Sequence, residues 1–172
     1  HAYFNLGDEA CLTCKDHRVQ VSADRWMETD EARIPTGRLL SVEGTPLDLR
    51  RPRHMGQVLK EGHPLIDACD GYDHTLILEA GTSGVREVAR VTSPDERLEM
   101  RVWTDQPSLQ LYTGNFMGGT PARGGGTYLS HAGLCLEAQG LPDATKHTGF
   151  PSTLLRPGEV YEHVTIYGLT SR

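Results

Sequence analysis

The 172-residue sequence lacks the features that mark several large classes of protein. It has no apolar run approaching the about 18 residues that a membrane-spanning helix needs. It also has no basic stripe, because 17 Lys and Arg are outnumbered by 23 Asp and Glu, giving a net charge of −6. Nucleic-acid binding generally requires a concentrated positive surface. We therefore expect neither a membrane protein nor a nucleic-acid-binding protein.

Arginines are concentrated only in the short segment 50–54, where a proline interrupts them. Such a segment is typical of a solvated loop and provides a poor groove for phosphates.

Motifs for metal binding and for common nucleophiles are also missing. Cys11 and Cys14 form one CxxC pair, but no second pair follows, and the eight histidines include no HExxH spacing. We therefore predict no zinc site, and the absence of GxSxG argues against an esterase. The four cysteines are interpreted as reduced thiols. Because the N-terminus shows no pattern of a signal peptide, we expect a cytoplasmic location.

The apolar residues that are present alternate with polar ones at a period of two. This pattern predicts short strands at residues 19–23, 98–102, 109–113 and 134–139. Residues 1–6 also resemble a strand, and residues 159–169 are predicted as one because they are rich in Val, Ile, Thr and Tyr. Turn-forming residues separate the runs, for example at 35–37, 44–46, 81–84, 93–95 and 156–158. The only candidate helix covers residues 55–61. The sequence therefore predicts an all-β chain of roughly ten strands, arranged as an antiparallel β-sandwich.

Strand alternation also sorts the polar side chains by face. In the predicted strand 134–139 the leucines point one way and Glu137 points the other, with no cation next to it in sequence. This carboxylate is either solvated on an open face or held in a cleft, where it could act as a general base. Gln110 and Tyr112 likewise share the polar face of their strand.

Residues 70–74, with the sequence DGYDH, precede another predicted strand. Two acids and a histidine on a turn have three interpretations: turn and capping chemistry, a polar ligand site, or a metal site. The residues by themselves leave these alternatives open.

Several motifs recur together along most of the chain, in an order that is itself informative. They are HAYFNL (1–6), IPTG (34–37), GTPLD (44–48), GYDH (71–74), QLYTGNF (110–116), LEAQ (136–139), PDA (142–144), FP (150–151) and LRPGE (155–159). In this order and with these gaps, they resemble the C-terminal half of the aldose 1-epimerase (galactose mutarotase) family.

The resemblance implies a large β-sandwich, of the galactose mutarotase-like kind, that interconverts the α and β anomers of a free hexose such as glucose or galactose. His1 matches the general acid of the family and Glu137 its general base. Asp73 and Gln110 match positions that hold sugar hydroxyls. No metal and no organic cofactor is implied.

The resemblance also implies that residues 1–172 form the C-terminal portion of a single domain. Family members are about twice as long, and their N-terminal half supplies further sugar-binding residues. We therefore expect the sandwich to be incomplete, the N-terminal half to complete the site, and the chain alone to be inactive or impaired.

Three other functions fit parts of the pattern. A noncatalytic carbohydrate-binding β-sandwich would need no acid–base pair. A glycosidase would use Asp73 and Glu137 as paired carboxylates flanking one bond. A mutarotase-like enzyme for phosphorylated sugars would need cations near the site, and residues 50–54 are the local candidates.

Overall fold

Two antiparallel five-stranded sheets form the protein in a computed structural model that describes residues 1–78 and 84–171. The strands, in chain order, are β1 (Arg18–Val21), β2 (Ala23–Thr29), β3 (Pro35–Ser41), β4 (Arg53–His54), β5 (Asp73–Leu78), β6 (Arg86–Thr92), β7 (Leu98–Thr104), β8 (Ser108–Tyr112), β9 (Cys135–Gln139) and β10 (Thr165–Ser171). Two single-turn helices, α1 (Met55–Val58) and α2 (Pro64–Asp67), connect β4 to β5.

One sheet has the strand order β10-β7-β6-β1-β4 and the other has the order β3-β2-β5-β8-β9. The apolar faces of both contribute to one buried cluster, to which β1 gives Val19 and Val21, β7 gives Met100, and β8 gives Leu109 and Leu111. Each of these side chains is completely removed from solvent. The predicted antiparallel β-sandwich is thereby confirmed.

The predicted strands at 98–102, 109–113 and 134–139 correspond to β7, β8 and β9 within one or two residues. The predicted strand at residues 1–6 is wrong. Only Phe4 pairs, in an isolated bridge to Leu134, because Leu6 turns away and donates its backbone N–H to the side chain of His17.

Two further predictions differ in extent. The first half of the predicted strand 159–169 is irregular, and β10 begins at Thr165, since the backbone N–H of Val164 is bound by the carboxylate of Asp105 at 3.1 Å. The predicted helix at 55–61 is limited to α1. The turn predicted at residues 81–84 has only its last residue within the described ranges and stays a prediction.

The basic segment 50–54 has compensating partners. Arg50 makes an ion pair with Asp48 at 2.6 Å, and Arg53 pairs with Glu61. No described helix is long and apolar enough to cross a membrane.

Candidate active site

The outer face of β5, β8 and β9 carries a ladder of polar side chains. Register places Asp73 beside Tyr112 and Thr75 beside Gln110, and on the far side of β8 it places Gln110 beside Glu137. Since residues two apart share a face of a strand, all five side chains lie on the face opposite to the leucines of the core. Gln110, Tyr112 and Glu137, which were predicted to lie on polar strand faces, therefore belong to one continuous surface.

Hydrogen bonds orient the middle of this ladder. The Thr75 hydroxyl donates to Gln110 Oε1 at 2.6 Å, and Gln110 Nε2 donates to Asp73 Oδ1 at 2.8 Å. Because the hydroxyl occupies the amide oxygen, the amide nitrogen is directed at the carboxylate. The Asp73 carboxylate is thus held in one orientation by residues of two neighbouring strands.

His1 approaches the ladder from the N-terminal segment. Phe4 exchanges two backbone hydrogen bonds with Leu134, at 2.8 and 2.9 Å, directly before β9 begins. The His1 ring stacks on Tyr3 with ring centroids 5.8 Å apart and meets Tyr112 edge-on at 6.0 Å. These contacts bring His1 Nε2 to 3.5 Å from Glu137 Oε1.

His17 anchors the same segment from the core. Its ring is fully buried, and its Nε2 accepts the backbone N–H of Leu6 at 2.8 Å. Burial lowers the pKa of His17, which favours the neutral ring that this hydrogen bond requires.

Glu137 lies at the edge of the sheet in mixed surroundings. Its side chain is 29% exposed, yet its Oε1 atom is buried and has no hydrogen-bond partner among the described residues. Burial raises the pKa of neighbouring Cys135 to about 12, and the Glu137 charge adds to this increase. Burial also raises the pKa of Tyr167. Cys135 and Tyr167 are therefore uncharged neighbours of the carboxylate, whose Oε1 atom faces His1 Nε2 at 3.5 Å.

These side chains surround one cavity of about 360 Å³, which is lined by His1, Asp73, Gln110, Tyr112 and Glu137. The volume falls within the range of roughly 300–1,000 Å³ that is typical of small-molecule sites. The four candidate residues therefore line the same cavity, although the first and the last of them are 136 positions apart in the sequence. They are His1, Asp73, Gln110 and Glu137.

Two residues of the segment 70–74, Asp73 and His74, line the cavity. The His74 ring also packs against the rings of Trp26 and Tyr72 in the core. Asp70 has a left-handed backbone conformation with φ of 53° in the turn before β5. Within residues 1–78 and 84–171 no group of at least three His, Cys, Asp or Glu side chains is arranged to hold a metal ion.

Sequence reasoning missed Arg33, which also lines the cavity. It lies in the connection between β2 and β3, and its Nη1 is 3.3 Å from Asp73 Oδ2. The strand pattern does not indicate this position, because Arg33 lies in a turn outside the strands. The turn lies beside the site only because β2 pairs with β5.

The outer face of this β-sandwich thus carries one cavity lined by a histidine, two carboxylates and an amide, a combination typical of a polar small-molecule site. Comparison with known proteins identifies the family. Residues 1–168 match the aldose 1-epimerase family, and the chain belongs to that family.

Curated relatives include the galactose mutarotase of Bos taurus, 42% identical over 166 residues that cover 96% of this chain and 47% of the relative. The aldose 1-epimerase of Escherichia coli is 40% identical over 169 residues, covering 97% of this chain and 48% of the relative. The chain therefore spans about half the length of the curated relatives it matches.

Solved structures show the same fold. The aldose epimerase homologue from C. elegans superposes with a TM-score of 0.83 at 27% identity, over 99% of this chain and 50% of the other. A galactose 1-epimerase from Lactobacillus acidophilus gives a TM-score of 0.74 at 25% identity, over 99% of this chain and 47% of the other.

Proposed function

We propose that this chain provides the acid–base pair of an aldose 1-epimerase that interconverts the α and β anomers of a free hexose such as glucose or galactose. The observation that carries the proposal is the 3.5 Å approach of His1 Nε2 to Glu137 Oε1 inside a cavity of small-molecule size. Relatives at 40–42% identity that are named mutarotase or aldose 1-epimerase support it.

The reaction opens and recloses the pyranose ring. Glu137 takes the proton of the C1 hydroxyl as His1, in its imidazolium form, protonates the ring oxygen, and the bond from C1 to the ring oxygen breaks. The open aldehyde rotates about C1–C2. Reverse transfers then close the ring on the other face of the carbonyl and return both protons.

The short distance between the two side chains suits this chemistry. The hydroxyl that loses a proton and the ring oxygen that gains one are bonded to the same carbon, so the base and the acid must lie side by side. Histidine changes charge near neutral pH, and each general acid–base transfer contributes about 10²- to 10⁴-fold in rate.

Asp73 and Gln110 are proposed to bind sugar hydroxyls. The Asp73 carboxylate accepts from hydroxyl groups, and the hydrogen bond from Gln110 directs it. Such fixed contacts place the reacting atoms, and positioning can account for a large part of a barrier reduction.

The arginines of segment 50–54 do not favour a phosphorylated substrate. Arg50, Arg51 and Arg53 line a separate cavity of about 620 Å³, none of them lines the cavity that contains Glu137, and two are already paired with carboxylates. We accordingly propose a free aldohexose as the substrate, with neither nucleic acid nor membrane as a partner.

A second polypeptide segment is proposed to complete the domain, of which residues 1–172 form the C-terminal portion. This proposal is supported by the finding that the chain covers only about half the length of its relatives. It is also supported by two surfaces of the protein that lack a partner among the described residues. β9, which carries Glu137, is an edge strand. Residues 154–169 expose large apolar side chains, among them Leu154 at 62%, Val160 at 81% and Leu169 at 59%, and exposed apolar surface of this kind is typical of an interface.

We also propose a reducing compartment, the cytoplasm, for this protein. Its support is that Cys11, Cys14, Cys69 and Cys135 are all free thiols, as is usual in that compartment.

The direct test is Glu137→Gln in the protein at its native length, followed by polarimetry on freshly dissolved α-glucose or α-galactose. Glutamine keeps the shape and cannot accept the proton, so kcat should fall at least about 100-fold while sugar binding survives. Glu43→Gln, on an exposed turn, is the matched control and should leave the rate unchanged. Near-normal mutarotation by Glu137→Gln would exclude Glu137 as the base.

A further inference from the structure

Arg33 reaches the cavity from a tightly built turn between β2 and β3. Asp30 makes both backbone hydrogen bonds of the turn, accepting from Arg33 and donating to Ile34 at 2.9 Å each. The Asp30 carboxylate also accepts the backbone N–H groups of Ala32 and Ile34 at 2.9 Å. Arg33 itself has φ of 62°, a left-handed conformation that is uncommon outside glycine and persists where the surroundings enforce it.

The side chain is held at its far end as well. The guanidinium carbon lies 5.4 Å from the centre of the Phe116 ring, in a cation–π arrangement. Its Nη1 is 3.3 Å from Asp73 Oδ2, while Gln110 donates to the other carboxylate oxygen at 2.8 Å. A strained backbone, an aromatic ring and a carboxylate thus fix one cation at the cavity wall.

The pair formed by Arg33 and Asp73 has hydrogen-bonding capacity to spare. A guanidinium carries five N–H donors and a carboxylate about four lone-pair positions, and their mutual contact uses one of each. Because every sugar hydroxyl both donates and accepts, adjoining donors and acceptors suit two vicinal hydroxyls. Arg33 is the only Lys or Arg in the wall of this cavity within the described residues, and Asp73 balances its charge, which favours a neutral ligand over an anionic one.

We propose that Arg33 is a positioning and specificity residue that binds a hydroxyl of a neutral aldose beside Asp73. This inference deepens the proposed mutarotase function and rests on it for the identity of the sugar. The role differs from that of His1 and Glu137, since Arg33 acts on the bound sugar equally before and during ring opening. Its loss should therefore weaken binding and leave the chemical step intact.

The test compares Arg33→Leu and Arg33→Lys with the unmodified protein at its native length. Loss of a charge-assisted hydrogen bond is expected to raise KM for glucose or galactose about tenfold in Arg33→Leu, with kcat within about twofold. Arg33→Lys should be intermediate, because lysine keeps the charge and loses the planar fork of donors. Arg38→Leu is the control, since Arg38 pairs with Glu28 on the same hairpin and lies outside the cavity.

A binding measurement separates this inference from the proposed activity. Titration calorimetry with a 1,5-anhydrohexitol, a sugar analogue without the C1 hydroxyl, reports the affinity of the site whether or not the protein catalyses mutarotation. We expect Kd to rise by the same factor as KM in Arg33→Leu. If the unmodified protein binds the analogue but does not accelerate mutarotation, the proposed function fails and the Arg33 inference is still tested.

Three results would overturn the inference. Unchanged KM and Kd in Arg33→Leu would remove Arg33 from the sugar site. A fall in kcat at constant KM would assign it to the support of the acid–base pair. A selective loss of affinity for a hexose 6-phosphate, with neutral sugars unaffected, would make it an anion-binding residue.

Discussion

His74 should make the stability of this protein depend on pH in mildly acidic solution. Its ring packs edge-on to Trp26 and Tyr72, at 6.0 and 6.2 Å between centroids, and its Nδ1 accepts the backbone N–H of Asp73 at 3.0 Å. A protonated Nδ1 could not accept that hydrogen bond. Burial lowers the pKa of His74 from 6.5 to about 4, and the Asp73 charge offsets only part of this effect.

The sign of the effect follows from which state binds the proton. Between pH 6.5 and about pH 4 the unfolded chain protonates this histidine and the folded protein does not, so acidification favours unfolding. The contribution is complete above pH 6.5 and is lost as the pH falls towards 4. A difference of about 2.5 pKa units corresponds to about 3 kcal/mol in total, of which about 2 kcal/mol is lost between pH 7 and pH 5.

Urea unfolding at pH 7, 6 and 5 would measure this contribution. Glutamine does not titrate, so the loss of unfolding free energy between pH 7 and pH 5 should be about 2 kcal/mol smaller in His74→Gln than in the unmodified protein. His163→Gln is the control, because His163 is exposed and its replacement should keep the full pH dependence. Equal pH dependence in His74→Gln and the unmodified protein would refute the reasoning, as would an NMR titration of the His74 ring with a midpoint near 6.5.

Two further predictions concern the site as a whole. Mutarotation by the protein at its native length should be unaffected by EDTA, because the proposed proton transfers by Glu137 and His1 use no metal ion, and loss of activity that one divalent metal restores would contradict this. Residues 1–172 expressed alone should aggregate and show no measurable acceleration of mutarotation, and mixing with the segment that completes the domain should restore solubility and rate together. A monodisperse 172-residue protein with full activity would show that the site is self-contained.

The orientation of single side chains was predictable because it is local. In β8 and β9 the leucines alternate with Gln110, Tyr112 and Glu137, and a period of two assigns each side chain to a face whatever the strand pairs with. For the same reason, the local pattern predicted most of the strands. The strand predicted for residues 1–6 was wrong, because within the described residues only Phe4 of this segment pairs, in a single bridge to Leu134.

The period-two pattern could not predict which side chains of different strands are in contact. Nothing in the alternation indicates that Gln110 lies beside Glu137 on one side and donates to Asp73 on the other. These contacts depend on register, and a shift of one residue would send the side chains of a whole strand to the opposite face. Resemblance to a family supplied the four candidate residues, since the order of motifs carries information that local periodicity does not.

The sequence by itself therefore determined the all-β class, the faces of the strands and, through its motifs, the family and the candidate residues His1, Asp73, Gln110 and Glu137. Only the tertiary structure decided that His1 lies 3.5 Å from Glu137 and that Arg33 reaches Asp73 from a turn. The physical reason is the range of the interactions. Alternation depends on neighbours along the chain, whereas the site depends on pairing between strands that are distant in sequence, which only the packing of the whole sandwich specifies.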